Sequence, residues 1–372
     1  MTVLLLGLLG GSFVYCVLAV IAAWRYKRQQ PPVLGNTPAI SVLKPLCGID
    51  DELEDNLASF FQQDYPAYEI LFAVHEPDDP ALEAVERVRQ RYPEIPVRVI
   101  VTGEPPVANR KVFSMSLMLE AARYPLIVTS DSDVRAPRDL LRTFAAEFRD
   151  EKLGLATCPY RVHPSGSFWA SVEAAGLNTE FLAGVLVAAM LEGVKFALGP
   201  TMALRREVIE RLGGFLAFKD YLAEDFVIGQ QTAALGYRTI LSSCVVEHRV
   251  GAGGLGESLR HQLRWARSTR RSRPAGYVGQ VFTNPIPLAL LCWALRPDWW
   301  AVLLAAALFR GLATWATSQF VLGDPLVRRR WWLVPLHDLV SFCVWLTGFV
   351  GNTVMWRGRR YRLEADGRFR PG

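Results

Sequence analysis

Two carboxylates spaced one residue apart, Asp131 and Asp133, follow the short apolar run LIVTS at residues 126–130. A run of this length bounded by polar residues is typical of a buried parallel strand, and both aspartates would then leave the strand at its carboxyl end. Open α/β sheets bind ligands at that end, and hard oxygen ligands suit Mg²⁺ or Mn²⁺, which also take water and substrate phosphates. The pattern indicates a divalent cation bound together with a diphosphate. The alternative is an Asx turn and helix cap without chemical function.

Two further acidic positions could join such a site. Asp79 follows a second apolar run, EILFAVH, so a parallel sheet would place it at the same edge as Asp131, beside a crevice that could hold a nucleotide. Glu224 and Asp225 stand directly ahead of an apolar helix. A carboxylate there could be the general base that takes a proton from an attacking hydroxyl, or it could simply cap the helix.

Residues nearer the C terminus give weaker signals. His248 ends a β-rich run at 237–250 and could be a metal ligand, although a lone histidine is more often a hydrogen-bonded structural residue. Arg264 and Trp265 lie in a basic segment at 258–267. A planar guanidinium suits a diphosphate, and an indole offers a flat apolar wall for a ring or a chain. The segment could equally be an amphipathic helix on a membrane surface, and the two interpretations are compatible.

Strands that alternate with helices must position these residues. Apolar runs of strand length are separated by helical stretches with capping residues at their starts, an order that predicts βαβ units and a mostly parallel, doubly wound sheet. The expected strands are 39–46, 69–75, 97–102, 126–130, 154–160 and 196–204. The expected helices between them are 50–63, 80–91 and 109–122, with another beginning at Pro137.

The N-terminal end predicts a membrane anchor. The 372 residues are 51% hydrophobic, which is high for a soluble enzyme, and residues 3–24 form one apolar stretch. That stretch is long enough to cross a hydrocarbon core of roughly 30 Å. Arg25, Lys27 and Arg28 follow it and predict that this side faces the cytoplasm. No charged segment precedes the stretch, so an uncleaved anchor is preferred to a signal peptide.

The C-terminal third also predicts membrane contact. Residues 299–322 and 332–356 are expected to span the bilayer, with tryptophans near their ends. Residues 281–295 are interrupted by Asn284-Pro285 and are expected to form a re-entrant segment or a third span. Residues 181–198 contain Glu192 and Lys195, so a buried or interfacial helix is preferred there to a span.

Charge and cysteine content exclude some classes of protein. The net charge of +5 is modest and gives no indication of nucleic-acid binding. Basic clusters at 260–273, at 328–330 and from Arg357 onward suit an anionic lipid surface instead. The six cysteines show neither CxxC nor Cys/His spacing, so neither a zinc site nor a disulfide framework is expected.

Taken in order, these motifs resemble inverting glycosyltransferases of the family 2 type, and more closely family 21, which contains the ceramide glucosyltransferases. They also resemble the bacterial hopanoid biosynthesis-associated glycosyltransferases. The matching phrases are SVLKPL at 41–46, DPA at 79–81, NRKV at 109–112, SDS at 130–132, PY at 159–160, YLAEDF at 221–226 and GRRYRL at 358–363. The resemblance covers the chain from anchor to tail. It implies the GT-A fold, a Rossmann-like α/β fold with a mostly parallel sheet, carried between an N-terminal transmembrane anchor and C-terminal transmembrane helices.

The resemblance also implies roles for the acidic residues. Asp79 would contact the uridine of a UDP-sugar, and Asp131 and Asp133 would hold the ribose, the metal ion and the diphosphate. Lys111 of the NRKV phrase would join the donor-binding residues. Asp225 would be the catalytic base.

A second group of implied roles falls on the basic segment. Arg264 and Trp265 would complete the family's Q/R-x-x-R-W element, whose first position is occupied here by His261 rather than Gln or Arg, with Gln262 next to it. Either His261 or Gln262 could make the leading contact with the donor. His248 would be a third metal ligand beside the two aspartates.

The implied reaction is a single displacement that inverts the anomeric centre. Asp225 would deprotonate a hydroxyl of a membrane lipid, while the Mg²⁺ or Mn²⁺ ion and Arg264 hold the leaving diphosphate. Short loops and an Arg-rich composition favour the hopanoid branch, and that resemblance implies a hopanoid acceptor with N-acetylglucosamine or glucose as the sugar. A ceramide or other sphingolipid acceptor is the alternative. A processive polysaccharide synthase and a non-catalytic membrane scaffold are alternatives from other classes.

The expected organisation has four parts. Residues 1–28 would be the anchor and 29–275 the GT-A catalytic domain, facing the cytoplasm of a bacterium from its inner membrane. Residues 276–357 would form the C-terminal membrane region, and 358–372 a basic cytoplasmic tail.

Overall fold

The computed structural model describes residues 2–35, 37–251, 253–356 and 359–371. Arg357 and Gly358, which begin the predicted basic tail and its GRRYRL phrase, lie outside the described residues. Contacts divide the chain into two compact units. The helical unit comprises Met1–Gln29, Arg161–Leu191 and Val250–Gly372, and the sheet unit comprises Gln30–Tyr160 and Glu192–Arg249.

The strands are short, as expected for an α/β fold. In chain order they are β1 (Ile40–Pro45), β2 (Tyr68–Val74), β3 (Val97–Val101), β4 (Leu126–Ser130), β5 (Val134–Arg135), β6 (Leu153–Thr157), β7 (Tyr160–Pro164), β8 (Thr201–Arg205), β9 (Arg238–Leu241), β10 (Val246–Val250), β11 (Thr353–Trp356), β12 (Arg359–Leu363) and β13 (Phe369–Pro371).

The helices differ widely in length. In chain order they are α1 (Thr2–Lys27), α2 (Leu53–Phe61), α3 (Ala81–Arg91), α4 (Arg110–Ala121), α5 (Leu140–Glu147), α6 (Phe168–Gly176), α7 (Leu182–Glu192), α8 (Arg206–Arg211), α9 (Glu224–Ala234), α10 (Leu255–Ser272), α11 (Pro274–Gly279), α12 (Pro285–Leu295), α13 (Trp300–Thr314), α14 (Pro325–Arg329) and α15 (Leu333–Gly348). Leu177–Phe181 and Trp315–Val321 are π-helical, and three short 3₁₀ turns are Phe215–Phe218, Gln280–Thr283 and Pro297–Trp299.

The sheet unit contains a seven-stranded sheet in the order β3-β2-β1-β4-β8-β6-β9. Strands β1 to β4 pair in parallel, β6 pairs in parallel with β9, and β8 runs antiparallel to both β4 and β6. This confirms the predicted mostly parallel sheet. Strand β8 begins only at Thr201, later than expected, because Pro200 before it cannot donate a ladder hydrogen bond.

The apolar core beneath the sheet fixes the helices that carry functional residues. Met115 of α4 and Ile228 of α9 are fully buried in one cluster with Leu43 and Leu71 of the sheet. Helix α4 starts after Asn109, whose side chain accepts a hydrogen bond of 3.2 Å from the Val112 amide and so caps the helix. The first turns of α4 and α9 are therefore held firmly against the sheet.

The helical unit contains the apolar helices. Within the described residues, Val3–Lys27, Phe168–Glu192 and Pro297–Val321 are long and apolar enough to cross a membrane. The bent pair Pro274–Thr283 and Pro285–Leu295, with an angle of 62°, would make a fourth if it counts as one span. The bend falls at Asn284-Pro285, as the sequence predicts, since proline lacks the amide that would continue the helix.

Two predicted segments differ from the structure. The expected span 332–356 contains a helix only over Leu333–Gly348, and Thr353–Trp356 forms strand β11 of a small antiparallel sheet with β12 and β13. The turn between them needs Gly351, whose φ of 78° suits glycine. The segment expected at 181–198 belongs to a helical stretch that starts at Phe168 and ends at Glu192, before Lys195.

Candidate active site

Asp131 and Asp133 lie where the sequence predicts, directly after β4 at the carboxyl edge of the sheet. The Asp131 carboxylate is 2.6 Å from Lys111 Nζ, and Asp133 Oδ2 is 3.2 Å from His248 Nε2. Asp133 Oδ1 is buried and has no hydrogen-bond partner among the described residues. The capping alternative does not apply, because the next element is strand β5 and helix α5 starts only at Leu140.

Lys111 connects the two groups of carboxylates in the sheet unit. It lies in the first turn of α4 and reaches both Asp131 and, at 3.5 Å, Glu224 Oε1. Burial alone would lower the pKa of Lys111, but these carboxylates raise it above its ordinary value. The ammonium therefore stays charged at neutral pH and holds the acidic residues together.

Asp225 lies at the start of α9 together with Glu224. Helix α9 has no side-chain capping bond at its N terminus, so the capping alternative is not observed here. A Cβ atom at Gly199 would lie 2.8 Å from Asp225 Oδ2 and 3.8 Å from Lys111 Nζ, so only glycine leaves this space open. Burial, reinforced by Glu224 and opposed by Lys111, raises the pKa of Asp225 to about 7. A carboxylate with that pKa is suited to general-base chemistry near neutral pH.

His248 is paired with Asp133 inside the sheet unit. It lies on β10, opposite Val134 of β5, and Tyr160 packs against it edge to face at 5.4 Å between ring centroids. Burial alone would lower the pKa of His248, but the Asp133 carboxylate raises it. Burial would likewise raise the pKa of Asp133, but His248 lowers it. Each member of the pair therefore favours the charged form of the other.

The site is consistent with a divalent cation held by two carboxylates. Within the described ranges, no group of three or more His, Cys, Asp or Glu side chains has the geometry to hold a metal ion. Mg²⁺ is commonly bound by one or two carboxylates plus substrate phosphates, and the unpaired Asp133 Oδ1 is an oxygen able to bind one. His248 contacts Asp133 rather than completing a ligand set, and its role as a third ligand stays a prediction.

Asp79 lies at the same sheet edge, after β2, which neighbours β1. Its carboxylate accepts hydrogen bonds from the Gly48 amide at 3.0 and 3.2 Å and from the Ala81 amide at 2.9 Å. These bonds join the loops after β1 and β2. The structure does not bring Asp79 into contact with Asp131 or Asp133, and its contact with a uridine stays a prediction.

Lys44 is a residue at this edge whose position the sequence did not reveal. It is fully buried in β1, and its Nζ donates to the main-chain oxygen of Asp131 at 2.7 Å and lies 3.8 Å from the ring centroid of Phe60. Burial lowers the pKa of Lys44 to about 7, although Asp131 and Asp133 oppose the shift. The only sequence signal was a lysine inside the otherwise apolar phrase SVLKPL.

The predicted residues of the Q/R-x-x-R-W element lie in the helical unit, on α10. The rings of His261 and Trp265 are 5.1 Å apart, and Trp265 is 5.9 Å from the ring of Phe181. His261 Nδ1 is 2.5 Å from Glu173 Oε1, whereas Gln262 donates to Ser258 within its own helix. Arg264, one position before Trp265, lies on the same helix.

The mostly parallel sheet with acidic residues at its carboxyl edge has the arrangement of the GT-A fold of glycosyltransferases. The mannosyltransferase PcManGT of Pyrobaculum calidifontis, solved with GDP-mannose and Mn²⁺, has a similar fold, with a TM-score of 0.55 at 19% identity over 94% of this chain and 98% of that chain. The chain belongs to glycosyl transferase family 21, whose family model matches residues 4–369.

Two curated relatives resemble nearly the whole chain. Ceramide glucosyltransferase 3 of Caenorhabditis elegans is 25% identical over 384 residues, which cover 99% of this chain and 83% of the relative. Ceramide glucosyltransferase 1 of the same organism is 26% identical over 365 residues, covering 93% and 75% respectively. The predicted resemblance to ceramide glucosyltransferases and the predicted GT-A fold are therefore confirmed.

Proposed function

We propose that this protein transfers a hexose from a UDP-sugar to a hydroxyl group of a membrane lipid, with ceramide or a related sphingolipid as the acceptor and glucose as the sugar. The observation that carries the proposal is the half-buried cluster of Asp131, Asp133, Glu224 and Asp225 near Lys111 in a chain of family 21. A sphingolipid ranks ahead of the hopanoid acceptor and N-acetylglucosamine donor expected from the sequence, because two relatives that match more than nine-tenths of the chain are ceramide glucosyltransferases.

In the proposed mechanism Asp225 takes the proton from the acceptor hydroxyl. The hydroxyl oxygen forms a bond to the anomeric carbon as the bond from that carbon to the diphosphate breaks, and this single displacement inverts the anomeric centre. Asp225 is suited to this step because its pKa is raised to about 7. A divalent cation, when bound by Asp131 and Asp133, would stabilise the negative charge that develops on the leaving diphosphate.

Lys111 supplies the fixed positive charge of the site, and Lys44 supplies a further hydrogen-bond donor. Lys111 lies against Asp131 and Glu224, so it holds these carboxylates close together without occupying Asp133 Oδ1. Lys44 binds the main-chain oxygen of Asp131 and so fixes the loop that carries both aspartates. The enzyme thus enters each turnover with the residues for the cation already oriented, which reduces the reorganisation that catalysis requires.

The apolar helices support a placement in the membrane. We propose that residues 1–28 anchor the chain, that 29–275 form the catalytic domain and that 276–357 and 358–372 form the C-terminal membrane region and tail. Arg25 and Lys27 end helix α1, which supports a cytoplasmic catalytic domain under the positive-inside rule. In a bacterium this corresponds to the inner membrane.

The proposal is tested with the purified full chain in lipid vesicles that contain ceramide, a hopanoid with a primary hydroxyl, or neither. Each vesicle receives Mn²⁺ and either UDP-glucose or UDP-N-acetylglucosamine. We expect a β-linked monoglucosylated ceramide, identified by mass spectrometry and by the anomeric proton coupling. Undiminished activity in the presence of a chelator contradicts the cation at Asp131 and Asp133. Product only on the hopanoid restores the first expectation, a labelled polymer indicates a synthase, and no product with any pair supports the scaffold alternative.

A further inference from the structure

A buried carboxylate of the helical unit is bound entirely by helix α10. Glu173, in α6, is only 5% exposed, and its two oxygens accept hydrogen bonds from His261 Nδ1 at 2.5 Å and from the Ser258 hydroxyl at 2.6 Å. Both partners lie three residues apart on one face of α10. An ionised carboxylate among apolar helices is costly unless it is fully hydrogen bonded. The pairing therefore fixes how α6 packs against α10.

The same contact determines which way the imidazole ring of His261 faces. With Nδ1 engaged by Glu173 and one face against the indole of Trp265 at 5.1 Å, the ring cannot turn without losing the carboxylate. The opposite nitrogen, Nε2, makes no hydrogen bond within the described residues, and the side chain is 33% exposed. A carboxylate at one ring nitrogen sets the tautomer and directs the other nitrogen toward a further partner.

The neighbouring Gln262 is arranged differently. Its amide nitrogen donates to Ser258 Oγ at 3.1 Å, a bond within α10 itself. Gln262 is thus held by its own helix, whereas His261 is held by a charged group from another helix. Of the two residues that could lead the Q/R-x-x-R-W element, His261 is therefore the one that a charged group orients.

We propose that Glu173 is a positioning residue, which fixes His261 so that Nε2 forms a hydrogen bond with an oxygen of a substrate. The inference rests on the proposed function, since it assumes that the helical unit, which contains the apolar helices, binds the lipid acceptor. The oxygen belongs to the polar headgroup of that lipid, which is a hydrogen-bond acceptor.

The test is a double-mutant cycle in the full chain, measured as sugar transfer to lipid vesicles. The variants are Glu173→Gln, His261→Gln and their combination, with Ser258→Ala as the matched control because it removes the other hydrogen bond to the same carboxylate. We expect Glu173→Gln to lower kcat/KM by at least about tenfold, the usual loss when the orienting partner of a functional histidine is removed. In the His261→Gln background the same substitution should change kcat/KM by less than about twofold, because no imidazole remains to orient.

The Michaelis constants test the assignment to the lipid. We expect Glu173→Gln to raise KM for the lipid and to leave KM for UDP-sugar unchanged, and a rise in KM for UDP-sugar alone would overturn the assignment. Equal losses from Glu173→Gln in both backgrounds, or a loss of the same size in Ser258→Ala, would show that Glu173 only holds the helices together and would overturn the proposal. Wild-type transfer in the same assay tests the proposed function separately. If the wild type transfers sugar and Glu173→Gln matches it, only the positioning role fails.

Discussion

The two units differ in how completely the oxygens of their carboxylates are hydrogen bonded. In the helical unit, Asp338 is bound by both arms of Arg310 at 2.7 and 2.8 Å, and both oxygens of Glu180 are occupied. The partners of Glu180 are Thr283, Asn284, His337 and Ser341. In the sheet unit, Lys111 contacts the carboxylates of Asp131 and Glu224, and His248 contacts that of Asp133. Lys44 binds only the main-chain oxygen of Asp131, and Asp133 Oδ1 has no partner in the described part of the chain.

The contrast shows how a structural buried charge differs from a functional one. Every carboxylate oxygen of Glu180 and Asp338 already has a hydrogen-bond partner. These two residues and their partners, here called the polar layer, need no ligand and serve to hold the apolar helices in one packing arrangement. The edge of the sheet retains an excess of negative charge, an unpaired oxygen and a carboxylate with a raised pKa, which are properties that cluster at functional sites. A bound cation would balance the negative charge and bind the unpaired oxygen, and the proton of the acceptor hydroxyl would pass to the carboxylate with the raised pKa.

Among the variants that test this difference between the two units, we expect Asp225→Asn to have the largest effect. The amide is isosteric but cannot accept the hydroxyl proton, so we expect turnover to fall by about 10²- to 10⁴-fold. Binding of UDP with Mn²⁺, measured by calorimetry, should stay within about twofold because the residues expected to hold the diphosphate are untouched. The exposed Asp220, on the same segment, gives the matched control Asp220→Asn, which should retain full activity. Full turnover in Asp225→Asn would remove this residue from the role of base.

The next effect concerns stability rather than chemistry. Arg310→Met leaves the fully buried Asp338 without its charged partner, and breaking a buried pair in this way typically costs about 3–5 kcal/mol of folding free energy. Thermal unfolding in detergent should show a large loss, and the double variant Arg310→Met/Asp338→Leu should recover most of it. The folded fraction of Arg310→Met should still bind UDP and Mn²⁺ normally. Unchanged stability together with lost transfer would make the polar layer a second functional region.

Much of the sheet unit could be predicted because its signals are local. The apolar runs with acids at their ends fixed strands such as β2 and β4 within a residue or two, and the placement of Asp131 and Asp133 follows from the direction of one strand. The extent of α15 was not predictable in the same way. Hydropathy continues past Gly348 to Val350, but the chain turns at Gly351 into a small sheet whose formation depends on pairing with β12.

The partners of the charged residues could not be predicted, because they are distant in the sequence. His248 contacts Asp133 across 115 positions, and Glu173 contacts His261 across 88. No periodicity links such residues, since their meeting depends on how whole elements pack. In the sequence Glu173 is a single charge within an apolar stretch, and nothing there indicates that both of its oxygens are occupied by α10.

The pH dependence of kcat/KM tests the raised pKa of Asp225, and we expect an effect of intermediate size. Because burial raises the pKa of Asp225 to about 7, the residue is protonated and inactive as a base below that pH and becomes competent as the pH rises through it. We expect kcat/KM, which reports the free enzyme, to fall by about tenfold per pH unit below 7 and to be flat above it. An ordinary aspartate would give no change between pH 6 and 8. A flat profile in that range would therefore contradict the raised pKa.

We expect Lys44→Met to have the smallest effect. This variant keeps an apolar side chain of similar length against Phe60 but removes the ammonium that binds the Asp131 main-chain oxygen. Losing a hydrogen bond from a charged group costs about 1.5–3 kcal/mol, and part of this is offset because burial already lowers the pKa of Lys44 to about 7. We expect the affinity for Mn²⁺ in the presence of UDP to fall by about tenfold, measured by calorimetry.

Ser41→Ala is the matched control for Lys44→Met. It lies at the opposite end of β1, where its hydroxyl donates to Glu69 at 2.8 Å, so it should lower stability without changing Mn²⁺ affinity. If both variants weaken Mn²⁺ binding equally, the effect reflects general loosening of the strand. A loss confined to Lys44→Met would show that the buried ammonium maintains the geometry of the carboxylates. The sheet unit would then hold its unpaired oxygen in place through neighbouring contacts, whereas the helical unit hydrogen bonds its carboxylate oxygens directly.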